Sequence, residues 1–178
     1  MEALRRGLPD DGELAAKLVE ELLAYDPATG VFVWRPRCGA HSFNARFAGS
    51  VAGSANQYGH LQVAVAGRYY QLHRLAWLVA HKRWPEQLLD HINGDPSDNR
   101  IENLRPADFS QNAANSSMRS RNRVGLKGVT ETPNGKFRAH ICWRGHQKSL
   151  GMFATKEAAY AAYRKAAAET HGEFGRDG

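Results

Sequence analysis

The beginning of the chain carries apolar residues at helical spacing. Leucine and valine recur between Leu14 and Leu23, and the pattern stops at Asp26-Pro27. This spacing predicts an amphipathic helix over residues 11–24. A short apolar run over residues 30–34 predicts a strand, and a loop containing Gly and Ser follows it.

A second periodic region predicts a β-hairpin and a helix. Residues 61–65 alternate between apolar and polar side chains, and a second strand is predicted over residues 69–73 after a turn at residues 66–68. Helical spacing continues over residues 74–83 until Trp84-Pro85 ends it. A short helix is therefore expected directly before the central segment.

The central segment, residues 88–118, predicts a strand, a loop, a second strand and a helix. The strands are expected over residues 88–92 and 101–104, on either side of a turn-rich stretch. Asp108 is expected to cap the following helix, and Gln111 to reach back to it from the third helical position.

The C-terminal part predicts a small sheet and a helix behind a polar linker. Residues 116–125 contain almost no apolar side chain. Strands are expected over residues 128–132, 136–143 and 147–153, and turn residues separate them. An Ala-rich helix is expected over residues 155–170.

This order of elements predicts an α+β fold divided along the chain. The expected parts are an N-terminal helix and strand region (1–59), a central domain (60–118), a basic linker (119–125) and a C-terminal domain in which a three-stranded antiparallel sheet packs on one helix (126–178).

Charge is distributed unevenly along the 178 residues, whose formal net charge is +6. Residues 1–30 hold seven acidic and three basic side chains, whereas residues 117–150 hold eight basic side chains and one acidic. The second half is therefore expected to face a polyanion. Because the sequence shows no membrane-length apolar run, no secretory signal and only two cysteines, a cytoplasmic protein without a membrane partner is expected.

Residues 90–112 contain the side chains that phosphodiester hydrolysis requires. Hydrolysis needs a base for the attacking water and a cation that neutralises charge on the phosphate. His91 can accept the proton because imidazole titrates near neutrality. Asp90 and Asn112 offer oxygen ligands to a divalent cation, and Asn103 can brace the loop that orients His91.

Several alternatives stay open at this point. Asp90 and His91 would face opposite sides of a regular strand, so a shared site requires an irregular strand end. Residues 95–99 superficially resemble a calcium loop, but a turn is favoured because Gly and Glu are missing at the sixth and twelfth positions. His73 is either structural or a contact to the site or to phosphate, and Arg74 is a candidate for phosphate contact.

The string D-H-I-N-G-D-P-S-D-N-R-I-E-N-L-R from Asp90 to Arg105, followed by S-Q-N at residues 110–112, closely resembles the HNH endonuclease family. It is most similar to the phage and homing-type subset, in which Asn replaces the last His. The segment L-H-R-L at residues 72–75 resembles the part that precedes the motif in this subset. An Asp-His pair alone is more typical of a surface or of a helix N-cap, so the resemblance rests on the whole string.

The resemblance implies a ββα-metal core in which Asp90 and Asn112 bind the metal, His91 is the general base and Asn103 is the structural asparagine. Since Asn112 replaces a histidine, the site is rich in oxygen, which favours Mg²⁺ or Mn²⁺ over Zn²⁺. The family implies one-metal cleavage of double-stranded DNA that leaves 5′-phosphate and 3′-hydroxyl ends, in a bacterial or phage-infected host cell. A monomer is expected to nick DNA, whereas cutting both strands requires a homodimer or sequential cuts.

The C-terminal part contains the string L-K-G-V-T-E-T-P-N-G-K-F-R-A-H-I at residues 126–141 and the string S-L-G-M-F-A-T-K-E-A-A-Y-A-A-Y-R-K-A-A at residues 149–167. With these strings, residues 126–168 resemble the plant ethylene-response-factor DNA-binding domain, the AP-two type. This resemblance implies a sheet that lies in the DNA major groove. Thr130 and Thr132 stand where the plant domains have base-reading arginines, so no sequence preference is carried over. A solvated linker is the alternative for the arginines before this domain. The side chains expected to contact DNA are Arg74, Arg119, Arg121, Arg123, Lys127, Lys136, Arg138, Trp143 and Lys148.

Two classes of function are compatible with the sequence. One is a nuclease that anchors on duplex DNA and cuts with the central motif. The other is a catalytically inactive, sequence-specific DNA-binding regulator with the same fold. The joint presence of Asp90, His91 and Asn112 favours the nuclease.

Overall fold

The structure of the chain is a computed structural model that describes residues 16–65, 67–116 and 122–174. The chain divides into two compact units, residues 1–106 and 107–178. Both units combine helices with small sheets, which confirms the predicted α+β class. Within the described ranges, no helix is both long and apolar enough to cross a membrane.

The first unit is built from small sheets and the helices that cover them. Its elements are α1 (Ala16–Leu22), β1 (Leu23–Tyr25), β2 (Phe32–Trp34), α2 (His41–Phe47), β3 (Ser54–Ala55), β4 (Leu61–Val65), β5 (Arg68–Gln71), α3 (Leu72–His81), β6 (Leu88–His91) and β7 (Leu104–Ala107), in which the boundary between the units falls. The sheets have the orders β1-β2, β3-β4-β5 and β6-β7. Helix α3 packs against α1, β4 and β5. The core includes Val19, Leu23, Phe32, Leu72 and Leu75.

The predicted hairpin and the helix after it are present, with one shift. β4 and β5 pair antiparallel, with Val65 opposite Arg68. Helix α3 begins at Leu72, two residues earlier than predicted, because Leu72 and Leu75 both turn into the core. The helix ends where Lys82 adopts a left-handed conformation, shortly before Trp84-Pro85.

The prediction of a helix over residues 11–24 is wrong at its C-terminal end. Helix α1 stops at Leu22, and the next three residues form β1, in which Leu23 pairs with Trp34. In β1, Leu23 is almost completely buried and its backbone groups have hydrogen-bond partners on β2. Strand pairing therefore determines the structure here, although the apolar spacing is helical. Residues 11–15 lie outside the described residues.

Residues 41–47, predicted as part of a loop, form helix α2. The Arg37 backbone N–H donates to Oδ1 of Asn44 at 2.8 Å, and Nδ2 of Asn44 donates to the Arg37 carbonyl at 2.7 Å. The Phe43 ring lies edge-on to Trp34, with 5.4 Å between centroids, and the Arg37 guanidinium lies 3.8 Å from the Phe43 centroid. These contacts stabilise a helix that apolar periodicity does not predict.

The second strand of the central segment lies later than predicted. Residues 101–103 form a 3₁₀ turn, closed by a bond from the Leu104 N–H to the Ile101 carbonyl, and β7 follows at residues 104–107. The Ile92 N–H donates to the Asn103 carbonyl at 2.9 Å, which joins the turn to the end of β6. The turn takes most of the positions that were predicted as the strand.

The second unit contains one short helix, a three-stranded sheet and a long helix. Its elements are α4 (Phe109–Asn115), β8 (Val129–Glu131), β9 (Phe137–Trp143), β10 (His146–Phe153) and α5 (Lys156–His171). The sheet is antiparallel with the order β10-β9-β8, and α5 packs on it, as predicted. The core under α5 contains Val129, Ala139, Ile141, Ala159, Tyr163 and Ala167.

Helix α4 has the predicted capping box. The Asp108 carboxylate accepts a hydrogen bond from the Gln111 backbone N–H at 2.8 Å, and Oε1 of Gln111 accepts one from the Asp108 N–H at 2.7 Å. These two bonds satisfy backbone donors that a helix start leaves without partners. The predicted linker is described only from residue 122 onward.

Candidate active site

Asn103 holds the loop between β6 and the 3₁₀ turn. Its Oδ1 accepts from the Asn93 backbone N–H at 3.0 Å, and its Nδ2 donates to Oδ1 of Asn93 at 3.0 Å and to the Asp98 carbonyl at 2.9 Å. Asn103 is buried, so these bonds are not exchanged freely with water. The side chain therefore joins both ends of the loop to the 3₁₀ turn, and the backbone carbonyl of Asn103 joins that turn to Ile92, next to His91.

We expect Asn103→Ala to lower the free energy of unfolding of the first unit by about 2–3 kcal/mol, because three loop groups lose their buried partner. Urea unfolding is the measurement. Asn134→Ala, in an exposed turn of the second unit, is the matched control and should change stability by less than about 0.5 kcal/mol. Equal effects of the two substitutions would contradict this role of Asn103.

The acidic residues of the loop form turns by bonding to neighbouring residues of the same loop. Oδ1 of Asp95 accepts from the Ser97 backbone N–H at 2.9 Å and from the Ser97 hydroxyl at 2.7 Å. Asp98 pairs with Arg100 at 2.8 Å and accepts from Nδ2 of Asn93 at 2.7 Å. The hydrogen bond with Arg100 is the main cause that lowers the pKa of Asp98 to about 2. Turn formation accounts for these carboxylates, as the sequence favours.

His91 ends β6 and is buried, with 5% of its surface exposed. Its Nε2 lies 3.4 Å from Oδ1 of Asn99. The Tyr25 hydroxyl donates to the Asn99 carbonyl at 2.8 Å, and Nδ2 of Asn99 donates to the Ser97 carbonyl at 3.3 Å, so Asn99 is held in place. Burial lowers the pKa of His91, although the hydrogen bond with Asn99 and the charge of Asp90 oppose this shift. At pH 7 the imidazole is neutral and can accept a proton.

Two further histidines pack against His91. The His73 ring lies 5.1 Å from His91 and the His60 ring 5.6 Å from it, between centroids, and His60 and His73 are 5.2 Å apart. One nitrogen from each of the three rings lies within 4.8 Å of the others. Burial lowers the pKa of His60 and of His73, for His73 well below its usual range. We call His60, His73 and His91 the three-histidine cluster.

Asp90 has different neighbours from His91. Its Oδ2 accepts from Nε of Arg105 at 2.9 Å, and Nη2 of Arg105 lies 2.9 Å from the same oxygen. Both side chains are largely buried, and Arg105 stands on β7, which pairs with β6. Asp90 therefore contacts the arginine, whereas His91 contacts Asn99 and the histidines, as alternation along a strand dictates.

Asn112 belongs to helix α4 of the second unit, and its side chain is exposed. Its backbone N–H donates to the Asp108 carbonyl at 2.9 Å, and its own carbonyl accepts from Ser116 at 3.0 Å. The helix thus fixes the backbone of Asn112 and leaves its side chain at the surface of this unit.

Three of the side chains expected at DNA have partners within their own units. Arg74 is 3% exposed, and its guanidinium lies 5.6 Å from the centroid of the Trp84 ring. Lys127 donates from Nζ to the carbonyls of Ala114 and Ser116 at the end of α4. The Trp143 ring packs against His171 of α5, with centroids 5.3 Å apart. Packing and helix capping account for these three in the structure.

The remaining basic side chains of the second unit differ in the face they occupy. Lys136 precedes β9 and Arg138 lies on its outer face, and both are exposed. Lys148 is exposed too, but it pairs with Ile141 and therefore shares the face that α5 covers. Arg123 is exposed in a turn before β8. Arg119 and Arg121 lie outside the described residues.

The structure adds residues to the site that the sequence analysis missed. Arg105 lies inside the quoted motif, but its ion pair with Asp90 depends on the pairing of β6 with β7. Asn99 and Asn103 are four residues apart, and this pair of asparagines is a local signal for a loop that side-chain amides hold in place. His60 has no local signal, because it meets the site only through tertiary packing.

Comparison with protein families matches residues 70–114 to the HNH endonuclease family. The match covers 45 of the 178 residues and includes Asp90, His91, Asn103 and Asn112. Comparisons with curated proteins and with solved structures gave no match. The similarity to HNH endonucleases supports a nuclease that acts on nucleic acid.

Proposed function

We propose that the protein is a metal-dependent DNA endonuclease that hydrolyses phosphodiester bonds in duplex DNA and leaves 5′-phosphate and 3′-hydroxyl ends. The observation that carries the proposal is the match of residues 70–114 to HNH endonucleases, because all four side chains assigned to catalysis fall inside it. This proposal also includes three finer points. They are the homing-type or phage subclass, a ββα-metal core, and domain limits at residues 60–118 and 126–178.

His91 is the general base in this proposal. Oδ1 of Asn99 is an acceptor, so it favours the tautomer in which Nε2 of His91 carries the hydrogen and Nδ1 accepts the proton of water. The water oxygen bonds to phosphorus, the bond from phosphorus to the 3′ oxygen breaks, and that oxygen takes up a proton from solvent water. The products are a 5′-phosphate and a 3′-hydroxyl.

The donor chemistry of Asp90 and Asn112 fits a hard divalent cation, because a carboxylate and an amide supply oxygen ligands. When bound there, Mg²⁺ or Mn²⁺ supplies positive charge to the scissile phosphate and to the leaving oxygen. Arg105 orients the carboxylate of Asp90 from β7. Since Asp90 and His91 contact different neighbours, the proposal requires the end of β6 to rearrange when both approach one phosphate.

The exposed outer face of the second unit's sheet is the proposed DNA anchor, and it makes a salt-dependence prediction. We expect the double substitution Lys136→Ala and Arg138→Ala to make the fall of log affinity with log salt shallower by about 1.8, because two phosphate contacts are lost. Fluorescence anisotropy over a salt series measures this slope. The matched control removes Lys156 and Lys165 from exposed positions of α5. An equal change of the salt slope in both double variants would show that the sheet is not the DNA anchor.

The experiment that tests the function follows supercoiled plasmid with the purified chain, in Mg²⁺ and in EDTA. A nuclease converts the plasmid to open-circular or linear DNA in Mg²⁺ and not in EDTA. The alternative, a catalytically inactive DNA-binding regulator, would retard the plasmid on a gel without converting it. That second result overturns the proposal.

A further inference from the structure

The three-histidine cluster has a ligand chemistry that the proposed Mg²⁺ site does not use. Its members come from three places in the first unit: His60 directly before β4, His73 in the first turn of α3 and His91 at the end of β6. Imidazole nitrogens suit zinc, copper and nickel, whereas Mg²⁺ prefers oxygen ligands. The cluster is therefore selective for another class of ion than Asp90 and Asn112.

Two nitrogens of the cluster are buried and have no hydrogen-bond partner in the described part of the chain. They are Nδ1 of His60 and Nδ1 of His73, and His73 as a whole is only 5% exposed. Buried polar atoms normally have partners, so two orphaned nitrogens in one cluster call for an explanation, and a bound ion supplies one. The centroids of these two rings lie 5.2 Å apart. The missing partners support a metal site independently of the distances between the three histidine nitrogens.

The spacing needs only a modest closure to hold an ion. Two histidine nitrogens on one tetrahedral zinc lie about 3.3 Å apart, as follows from zinc–nitrogen bonds of about 2.0–2.1 Å. The nitrogens of the cluster lie within 4.8 Å of one another. His60 is half-buried, so its ring is the least confined of the three. Three histidines with one open position form a known zinc ligand set, and water can fill the fourth place.

We propose that His60, His73 and His91 bind a divalent transition-metal ion, with Zn²⁺ as the probe, and that the bound ion inhibits DNA cleavage. Binding requires only the first unit. Inhibition rests on the proposed function and follows because the ion occupies the lone pair with which His91 would accept the proton of water. The chain thus carries two metal sites of opposite effect, an activating oxygen site and an inhibitory nitrogen site.

The binding arm of the test uses isothermal titration calorimetry of the EDTA-treated, dialysed full chain with Zn²⁺ alone. Cys38→Ser and Cys142→Ser are introduced first, because both thiols are exposed and would bind zinc themselves. We expect one Zn²⁺ per chain and a loss of affinity of at least about tenfold in His60→Gln. His146→Gln, which removes an exposed imidazole from the second unit, is the matched control and should bind Zn²⁺ like its parent.

A spectroscopic readout identifies the ligands even when calorimetry is ambiguous. Co²⁺ in place of Zn²⁺ should give the visible absorption of a tetrahedral site, and His60→Gln should reduce it while circular dichroism shows an unchanged fold. Failure to bind Zn²⁺ at unit stoichiometry overturns the proposal, and so does equal binding by His60→Gln and its parent. His73→Gln is the second variant and should behave like His60→Gln if it folds.

The inhibition arm adds Zn²⁺ at one equivalent to the plasmid assay in Mg²⁺. Cleavage should fall at least about tenfold and return when a zinc chelator is added in excess Mg²⁺. Cleavage that Zn²⁺ alone supports or accelerates overturns the inhibitory role. If no ion supports cleavage, the proposed function fails while the calorimetric result still decides the zinc site, so the two failures are distinguishable.

Discussion

Replacing His91 by alanine is expected to reduce the rate of DNA cleavage in Mg²⁺ by roughly a thousandfold, because a positioned general base contributes about 10²–10⁴ to a rate. The affinity for DNA should stay within about twofold, since the buried imidazole is not among the exposed basic side chains. Single-turnover cleavage of a labelled duplex measures the rate, and anisotropy in EDTA measures the affinity.

The controls for His91 separate chemistry from folding. His91→Gln retains bulk and a polar group in the buried site but lacks a basic nitrogen, so it should be as inactive as His91→Ala while remaining closer to wild type in stability. His41→Ala, at an exposed position of the same unit, should cleave normally. Cleavage by His91→Gln at the wild-type rate would mean that another group accepts the proton.

Gly30→Ala is expected to destabilise the first unit by at least about 3 kcal/mol, the sum of a strained backbone conformation and an overpacked contact. Gly30 has φ +73°, and a Cβ there would lie 2.5 Å from the backbone nitrogen of Arg100 and 2.6 Å from the carbonyl carbon of Asn99. Backbone atoms cannot rotate away as a flexible side chain does. The substitution therefore displaces residues 99 and 100, and Asn99 contacts His91. The rate of DNA cleavage should fall as well.

The control for Gly30 is Gly39→Ala. Gly39 has φ +69°, but nothing lies within 4 Å of the position that a Cβ would take, so the substitution carries the same conformational strain without the clash, at about 1 kcal/mol. Unfolding is followed by tryptophan fluorescence in a Trp143→Phe background, since the other three of the four tryptophans lie in the first unit. Equal losses for the two glycines would refute the close approach of residues 30 and 100.

The elements that were predicted from sequence are those defined by local interactions. The hairpin of β4 and β5 follows from alternation around a short turn, and the capping box of Asp108 and Gln111 needs only neighbouring residues. The sheet and helix of the second unit follow from the same kind of pattern. The motif from Asp90 to Asn112 was identifiable because its residue types and spacing are specific together.

The elements that were missed depend on contacts between distant parts of the chain. Helix α2 is stabilised by two hydrogen bonds between Arg37 and Asn44. No periodicity in the sequence predicts these bonds. The short strand β1 exists because β2 offers a partner. His60 and Arg105 reach the site across the fold, and burial of Arg74 could not be read from its charge.

The measurement that tests the central claim most directly is the chemistry of the cut. Supercoiled plasmid is incubated with the purified chain in Mg²⁺, and the open-circular product is recovered and treated with DNA ligase without prior phosphorylation or end repair. We expect Mg²⁺ to be required for the nick and ligase to seal it, because a 5′-phosphate faces a 3′-hydroxyl. Plasmid that is bound but never nicked, or a nick that ligase leaves open, would contradict the account.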